Sequence, residues 1–405
     1  MSLYDKMGLL ITPNGVAPSK IFAYKPTNGS GDGVFDRNTT ATRVNSSGLI
    51  EDVAIDMARI DYPTNGSCPH LLFEPQSTNL ITYSEDFINA YWGVNNVTVS
   101  LSNVLSPNGV DFAYKINGGS VGILSTLYNP SDVRTDSRSI WARTVSGVGN
   151  LHLLSHNSNS NNLFSITEEW QRFEVNSYSA IGAINFYAVD FRGSSNLTEV
   201  LIWGAQAEAL PYATSYIPTN GSAVTRVQDV ANNFGDVNTF NSEEGTLFVE
   251  MAALGNDGTF RRLSIGTNDN GFSDNINIRY NNVDNSIYYQ YRTNNVYQCS
   301  LYSVIPNALD FIKIACVWKI NRFELWVNGV KLLEDLVGSV ASSGTFNSMF
   351  FGKTSTTLPD SLHGKVKQIQ VYKEALTDLE LEYLTTYGSF TDLANANNYN
   401  LILDI

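Results

Sequence analysis

Three short stretches carry residue types that could do chemistry, and each fails on its surroundings. "GGSVG" (Gly118–Gly122) satisfies G-x-S-x-G. A nucleophile elbow needs a strand before the serine and a helix after it. "ILSTLYNP" follows instead, strand-like and ending at proline, so a loop is expected. "GKTSTT" (Gly352–Thr357) has the ending of a phosphate loop. Asn347 stands where the earlier glycine should be, however, and no helix follows, so a polar turn is expected. "GSGDG" (Gly29–Gly33) has no Rossmann unit around it and reads as a flexible loop. His152 and His156 are four apart on a strand-and-loop pattern with no acid between them. The four histidines supply neither a metal site nor a catalytic dyad.

Binding chemistry is better supplied. Sugars are held by aromatic faces against their C–H patches, with amides and carboxylates bonding the hydroxyls. In "NSIYYQYRTNNVY", strand alternation puts Tyr288, Gln290 and Arg292 opposite Ile287, Tyr289 and Tyr291. In "NRFELWVNGVKLL" it puts Trp326 opposite the stripe Phe323, Leu325 and Val327. Tyr288, Arg292 and Trp326 are therefore the candidate platform for a glycan or receptor. The same outward side chains would serve equally to pack against a subunit or a neighbouring domain. "GTNDNGFSDN" (Gly266–Asn275) offers Asp269, Asn270 and Asp274 as oxygen ligands for Ca²⁺, but without a recognisable spacing. No other cofactor is expected.

The elements that must position these residues are strands. "FIKIACVW", "GTLFVEM", "NINIRY", "SMFFG" and "KQIQVY" alternate with period two, each bounded by Asn, Asp, Gly or Ser. An earlier series includes "FAYKI", "SRSIWAR", "LHLLSH", "WQRFEV", "INFYAVDF" and "EVLIWGAQAEA". Evenly spaced short strands with turn chemistry between them predict sandwiches or jelly rolls. One helix is predicted near the C-terminus. In "LTDLELEYLTTYG", Thr377 is its N-cap, Glu380 completes a capping box, and Leu376 staples to Leu381. Gly388 would end it across one end of the sandwich.

The pentapeptide "PTNGS" occurs at Pro26–Ser30, Pro63–Ser67 and Pro218–Ser222, at intervals too unequal for stacked repeats. Proline stops a ladder and Asn-Gly tolerates positive φ, so each copy marks a turn between extended segments. Two copies precede a T-R-V core, in "ATRVNSSGLIEDVA" and "AVTRVQDVANN", as related boundary segments would. The expected layout is all-β. Residues 1–78 form an N-terminal attachment or packing segment with short strands, 79–222 a first sandwich and 223–240 a linker. Residues 241–390 form a jelly roll and 391–405 a tail.

Composition narrows the partners. At 405 residues, 43% hydrophobic and 12% aromatic, the chain can fill more than one core. Only 16% is charged, and 39 acids against 25 bases leave a formal charge of −14. No Lys/Arg cluster is present to neutralise phosphates, so nucleic acid and anionic membrane surfaces are not expected partners. No apolar run approaches a membrane span. Cys68, Cys299 and Cys316 have no metal-ligand spacing, and without a convincing secretion signal they predict folding in a reducing cytoplasm.

The segments "FDRNTTATRVNSSGLIEDVAIDMARIDYP", "CPHLLFEPQSTNLITYSEDFINAYW" and "GAQAEALPYATSYIPTNGSAVTRVQD" resemble a group of bacteriophage virion proteins, often described as tail-fibre or other structural proteins. The middle portion is similar to carbohydrate-binding-module-like β-sandwiches. The C-terminal portion is similar to laminin-G or concanavalin-A-like jelly rolls, a likeness that specifies fold better than function. The resemblance implies a non-enzymatic virion-surface protein made in a bacterial host's cytoplasm. Its expected partners are other virion proteins, a homotrimeric assembly, and a host-surface glycan or receptor. A capsid decoration or head-fibre protein is one alternative, a polysaccharide depolymerase another, and a bacterial surface adhesin a third. Hydrolases sharing the jelly roll carry E-x-D-x-x-E, which is absent here. The adjacent pairs Glu168/Glu169 and Glu243/Glu244 point to opposite faces, and Glu380 and Glu382 belong to the predicted helix.

Overall fold

A computed structural model describes residues 2–64, 66–118, 126–129, 137–155, 162–176, 185–255, 259–267, 273–281, 286–352 and 361–386. Within them the protein is all-β, with two short helices, Leu3–Lys6 and Asp378–Thr386. The tail from 391 lies outside the described residues, as do Gly388, His156, Ser120 and most of "GKTSTT".

The C-terminal sandwich packs an eight-stranded sheet on a five-stranded one. Alternation in "FIKIACVW" sends Ile312, Ile314, Cys316 and Trp318 into its core, where they meet Leu247, Val249, Phe323 and Leu325. Ile276, Ile278, Ile287, Tyr289 and Tyr291 come from the facing sheet. Each such side chain contributes about 1.5–3 kcal/mol of burial. The tyrosine hydroxyls are not stranded there. Tyr289 donates to the Val317 carbonyl at 2.8 Å, Tyr291 to Ser242 at 2.9 Å and Tyr280 to Met251 at 3.1 Å. They lock one sheet to the other.

The eight-stranded sheet is not built from the C-terminal half alone. One edge of the Gly364–Tyr372 strand pairs with Glu244–Ala253. Its other edge is shared by two strands from the start of the chain, Met7–Ile11 and His70–Phe73. Leu9, Ile11, Leu71 and Phe73 enter the same core. The segment 1–78, expected as an attachment or packing piece, thus contributes three strands, Met7–Ile11, Arg59–Asp61 and His70–Phe73, to the eight-stranded sheet of the C-terminal sandwich.

The middle sandwich is inserted between those two parts. Two five-stranded sheets enclose a core of Ile116, Ile140, Leu151, Leu153, Phe186, Val200 and Ile202. Its entry and exit run side by side, Ser77–Asn79 pairing antiparallel with Val224–Arg226, and Tyr83 bridging Asn220. The third "PTNGS" copy therefore sits near where the chain rejoins the outer sandwich, whereas the second falls in sequence between the paired outer strands Arg59–Asp61 and His70–Phe73. The Ala41–Val44 and Ile50–Val53 hairpin lies over the outside of one middle sheet, where Ile50 packs with Trp141, Trp203 and Tyr216.

Residues 223–240 are not a solvated linker. Arg226 and Asp229 are almost fully buried and belong to a charged knot at the junction. Asp229 accepts from Arg37 Nη1 at 3.0 Å, from Arg59 Nη2, and from the Glu74 backbone N–H at 2.7 Å. Glu74 accepts from Arg59 and Ser215, and Arg226 Nη1 lies 2.7 Å from it. Burial alone would raise the Glu74 carboxyl, but Arg226 and Arg59 outweigh it and hold the group well below the usual carboxylate range. Next to the knot, Glu208 accepts from Ser77, Gln206 and the Thr214 N–H. Every member comes from the three quoted segments that carry the family likeness, so those motifs build the junction between the sandwiches.

The C-terminal helix has the predicted cap. Thr377 N donates to Glu380 Oε2 at 2.9 Å, and Leu376 and Leu381 are both fully buried. It lies over the outer face of the eight-stranded sheet rather than across one end of the sandwich, packing Leu381 and Leu384 on Phe248, Val317 and Trp326.

Candidate functional site

The five-stranded sheet of the C-terminal sandwich presents a second face, turned away from the core. Its strands run in the order Val296–Val304, Ser286–Thr293, Asn275–Tyr280, Arg261–Gly266 and Ser348–Phe350. In "NINIRY" the isoleucines point inward, so Asn275, Asn277 and Arg279 point outward; in "SIYYQYRT" the outward set is Tyr288, Gln290 and Arg292. Register aligns these into rows. Arg262, Arg279, Tyr288 and Tyr302 form one, Ser264, Asn277, Gln290 and Ser300 the next, and Asn275, Arg292 and Tyr297 the third.

The first row is aromatic and cationic. Tyr288 and Tyr302 stack at 5.2 Å with 17° between their planes, and Tyr302 is 59% exposed. The Arg279 guanidinium lies over Tyr288 at 4.7 Å and over Phe260 at 4.6 Å. The middle row is made of amides and hydroxyls. Gln290 Nε2 donates to Ser300 Oγ at 3.1 Å, and Asn277 Nδ2 to Asn275 Oδ1 at 3.1 Å. Asn277 Oδ1 and Ser348 Oγ are buried without a hydrogen-bond partner among the described residues. Buried polar atoms are normally satisfied by protein or ordered water, and Ser264, Asn277 and Gln290 are themselves buried, so the middle row is recessed. In the third row Arg292 lies over Tyr297 at 5.2 Å and donates to the Asn295 carbonyl. The three rows carry no Asp or Glu. Such a surface can stack on sugar C–H faces and both donate to and accept from hydroxyls.

Of the sequence candidates, Tyr288 and Arg292 share this face and Trp326 does not. Trp326 does point away from the Phe323 stripe, but the Asp378–Thr386 helix roofs that side. It is 5% exposed, and its indole N–H donates to Glu324 Oε2 at 2.9 Å. Alternation decides which side of a sheet a residue takes, not what covers that side. Trp326→Phe is expected to lower stability by about 1.5–3 kcal/mol through loss of that charge-assisted bond, while leaving ligand affinity unchanged. Denaturant titration alongside a binding isotherm checks both halves. Asp269 and Asn270 lie outside the described residues. Asp274 is bonded by Thr293, Asn294 and Ser273, closing the turn beside Arg292, and no calcium role is proposed for it. Asn277, Arg279 and Tyr302 were legible in the alternation of "NINIRY" and "CSLYSV" but not singled out, because none carries a motif.

A second hollow, 680 Å³ in volume, lies beside the Ala41–Val53 hairpin and is lined by Tyr62, Trp141, Trp170, Arg172 and Tyr212. Its main aromatic is already engaged. The Trp141 ring contacts Trp203 at 5.5 Å, Tyr216 at 5.3 Å and the Arg172 guanidinium at 4.6 Å. The open stacks of the C-terminal face make it the stronger site.

No family model matches the chain, and no curated protein matches it. Among solved structures it is similar to the Ruminococcus gnavus IT-sialidase CBM40 bound to α2,3 sialyllactose, at 20% identity over 36% of this chain and 83% of that one, with a TM-score of 0.31. Domain 4 of AbnA, a GH43 extracellular arabinanase from Geobacillus stearothermophilus in complex with arabinotriose, gives 12% identity, coverages of 43% and 82%, and a TM-score of 0.32. Bacillus licheniformis β-glucanase gives 14%, 37%, 73% and 0.28. Likeness of this extent carries no argument about function, which rests on the chain's own side chains.

Proposed function

We propose that this protein is a non-catalytic surface component of a bacteriophage virion, a tail fibre or spike, that holds host-surface glycan on the outward face of its C-terminal sandwich. The observation that carries the binding part is the three-row array itself, with stacked tyrosines, amide and hydroxyl groups and guanidinium groups. The virion part is supported by the resemblance of the junction motifs, and a homotrimer follows from the same resemblance. Several copies on one particle would act at high effective concentration, so weak single sites suffice.

The test is binding of the full chain to host-surface polysaccharide, read by calorimetry, with Tyr288→Ala and Gln290→Ala as probes. Loss of one stacking ring is expected to weaken binding about tenfold, a change of about 1.4 kcal/mol. Affinity indifferent to both substitutions would remove this face from the function.

A hydrolytic reading has one observation in its favour. Glu85, raised by burial and by the neighbouring Asp111 and Asp52, lines a 390 Å³ hollow with those two acids and Trp203. Release of reducing ends from the bound polysaccharide, abolished by Glu85→Gln, would establish it in place of simple attachment.

A further inference from the structure

We infer that the glycan held on this face is acidic, an oligosaccharide bearing carboxylate or sulfate groups that engage Arg279 and Arg292. The inference rests on the carbohydrate reading and narrows its ligand class.

Many of the arginines among the described residues are paired with acids. Arg37, Arg59, Arg192, Arg226 and Arg322 each have a carboxylate oxygen within 3.0 Å. With 39 acids to 25 bases, partners are plentiful. Arg279 and Arg292 have no carboxylate partner among the described residues, and the Nε of each is buried without a hydrogen bond there. Rings hold them instead. Arg279 lies against both Phe260 and Tyr288, and Arg292 against Tyr297. Stacking uses the faces of a planar guanidinium and leaves in-plane N–H groups at its outer end, which can take a carboxylate or sulfate; one Nη of Arg292 already donates to the Asn295 carbonyl, so Arg279 has the fuller set to offer. A partly buried cation is costly without an anion, and two on one recessed face with none among the described residues leave room for an anion brought by the ligand.

Their spacing describes that ligand further. Arg279 pairs in register with Tyr288, and Arg292 lies four residues along the same strand. The backbone positions of the two arginines are therefore offset by about 13 Å along the strand direction. A single sugar does not span that distance, whereas an oligosaccharide laid along the strands does. Asn277 and Gln290 lie between them, suited to uncharged hydroxyls. The expected occupant has acid groups at both ends of a neutral stretch.

The experiment compares matched probes on the full chain. Oligogalacturonate is set against its methyl ester, and dextran sulfate against dextran, with affinity read by calorimetry. The acidic member of at least one pair is expected to bind about tenfold tighter. That preference should shrink as salt shortens the screening length from about 10 Å to about 3 Å. Whichever pair shows it distinguishes carboxylate from sulfate. Arg279→Gln and Arg292→Gln should each reduce the preference and together abolish it, with unfolding midpoints confirming an intact fold. Arg279→Lys should retain only part of it, since charge is kept and the planar fork is lost. Equal binding of both members of each pair, lowered in both by Tyr288→Ala, would overturn the acidic ligand and leave the carbohydrate reading standing. A preference untouched by the arginine variants would also overturn it. Binding of none of the four probes, nor of host polysaccharide, would overturn both.

Discussion

Asp229→Asn is expected to destabilise the protein by about 3–5 kcal/mol, the scale for breaking one partner out of a buried ion network. The carboxylate accepts from Arg37, Arg59 and the Glu74 N–H, and it is 2% exposed. An amide cannot accept on both atoms or offset two guanidinium charges, so Arg37 would lose its one carboxylate among the described residues and Arg59 would depend on Glu74, which it already shares with Arg226. Glu51→Gln is the internal control. Its pair with Arg43 is about a third exposed, and exposed pairs contribute about 0–1 kcal/mol. Chemical denaturation of both variants gives the comparison. The junction also ties the inserted sandwich to the outer one through Ser215 and Thr214, so Asp229→Asn should separate one unfolding transition into two. Equal midpoint shifts for Asp229→Asn and Glu51→Gln would show that the knot is not a stabilising centre.

His70 should make the fold sensitive to mild acid. It lies on the His70–Phe73 strand, 3% exposed, with its ring edge on Phe311 at 5.7 Å. Burial, reinforced by Lys365 and Lys367, pushes its pKa down to about 3. Asp61 Oδ2 is 3.5 Å from Nε2, which would be an ion pair for a charged ring. Burial and the two lysines win, and the imidazole is neutral. In the unfolded chain the group protonates near 6.5, so below that pH the unfolded state binds the extra proton. Stability therefore falls as pH drops from about 6.5 toward 3, by roughly 4 kcal/mol at the limit. Glu74 adds to the fall only below the ordinary carboxylate pKa, because its folded pKa is depressed and its contribution is present above that value. Glu85 and Asp61, both raised by burial, oppose this fall as they protonate in the folded state, so in the window between about 4.5 and 6.5 the histidine is isolated by comparison with a His70 variant. His152, also lowered by burial, adds in the same direction as His70. His70→Phe preserves the aromatic contact and removes the titration. The difference between the two stability curves should grow steadily as pH falls through that window, and a constant difference would refute the assignment.

Local periodicity was enough for much of this structure. Alternation placed Ile312, Ile314, Cys316 and Trp318 in the core and Tyr288 and Arg292 outside it. Three residues of "LTDLEL" announced the helix cap. What failed depends on contacts with no local signature. Trp326 reads as outward, and a helix fifty residues later roofs it. Arg226 and Asp229 sit in a polar, turn-rich stretch that looks solvated. Their burial is set by Arg37, Arg59 and Glu74, which lie more than 150 residues earlier. The N-terminal strands looked too sparse in apolar residues for a core of their own, which is correct, and they borrow one from the other end of the chain.

That borrowing has a consequence for biosynthesis. Leu9 and Val371 are register partners, so the Met7–Ile11 strand has no ladder with the Gly364–Tyr372 strand until the whole inserted sandwich between them has been made. Until then the inserted sandwich can close around its own core, while Leu9, Ile11, Leu71 and Phe73 stay without theirs. Fragments ending before the Gly364–Tyr372 strand should aggregate through these unmatched edges, and the intact chain should acquire its outer body last.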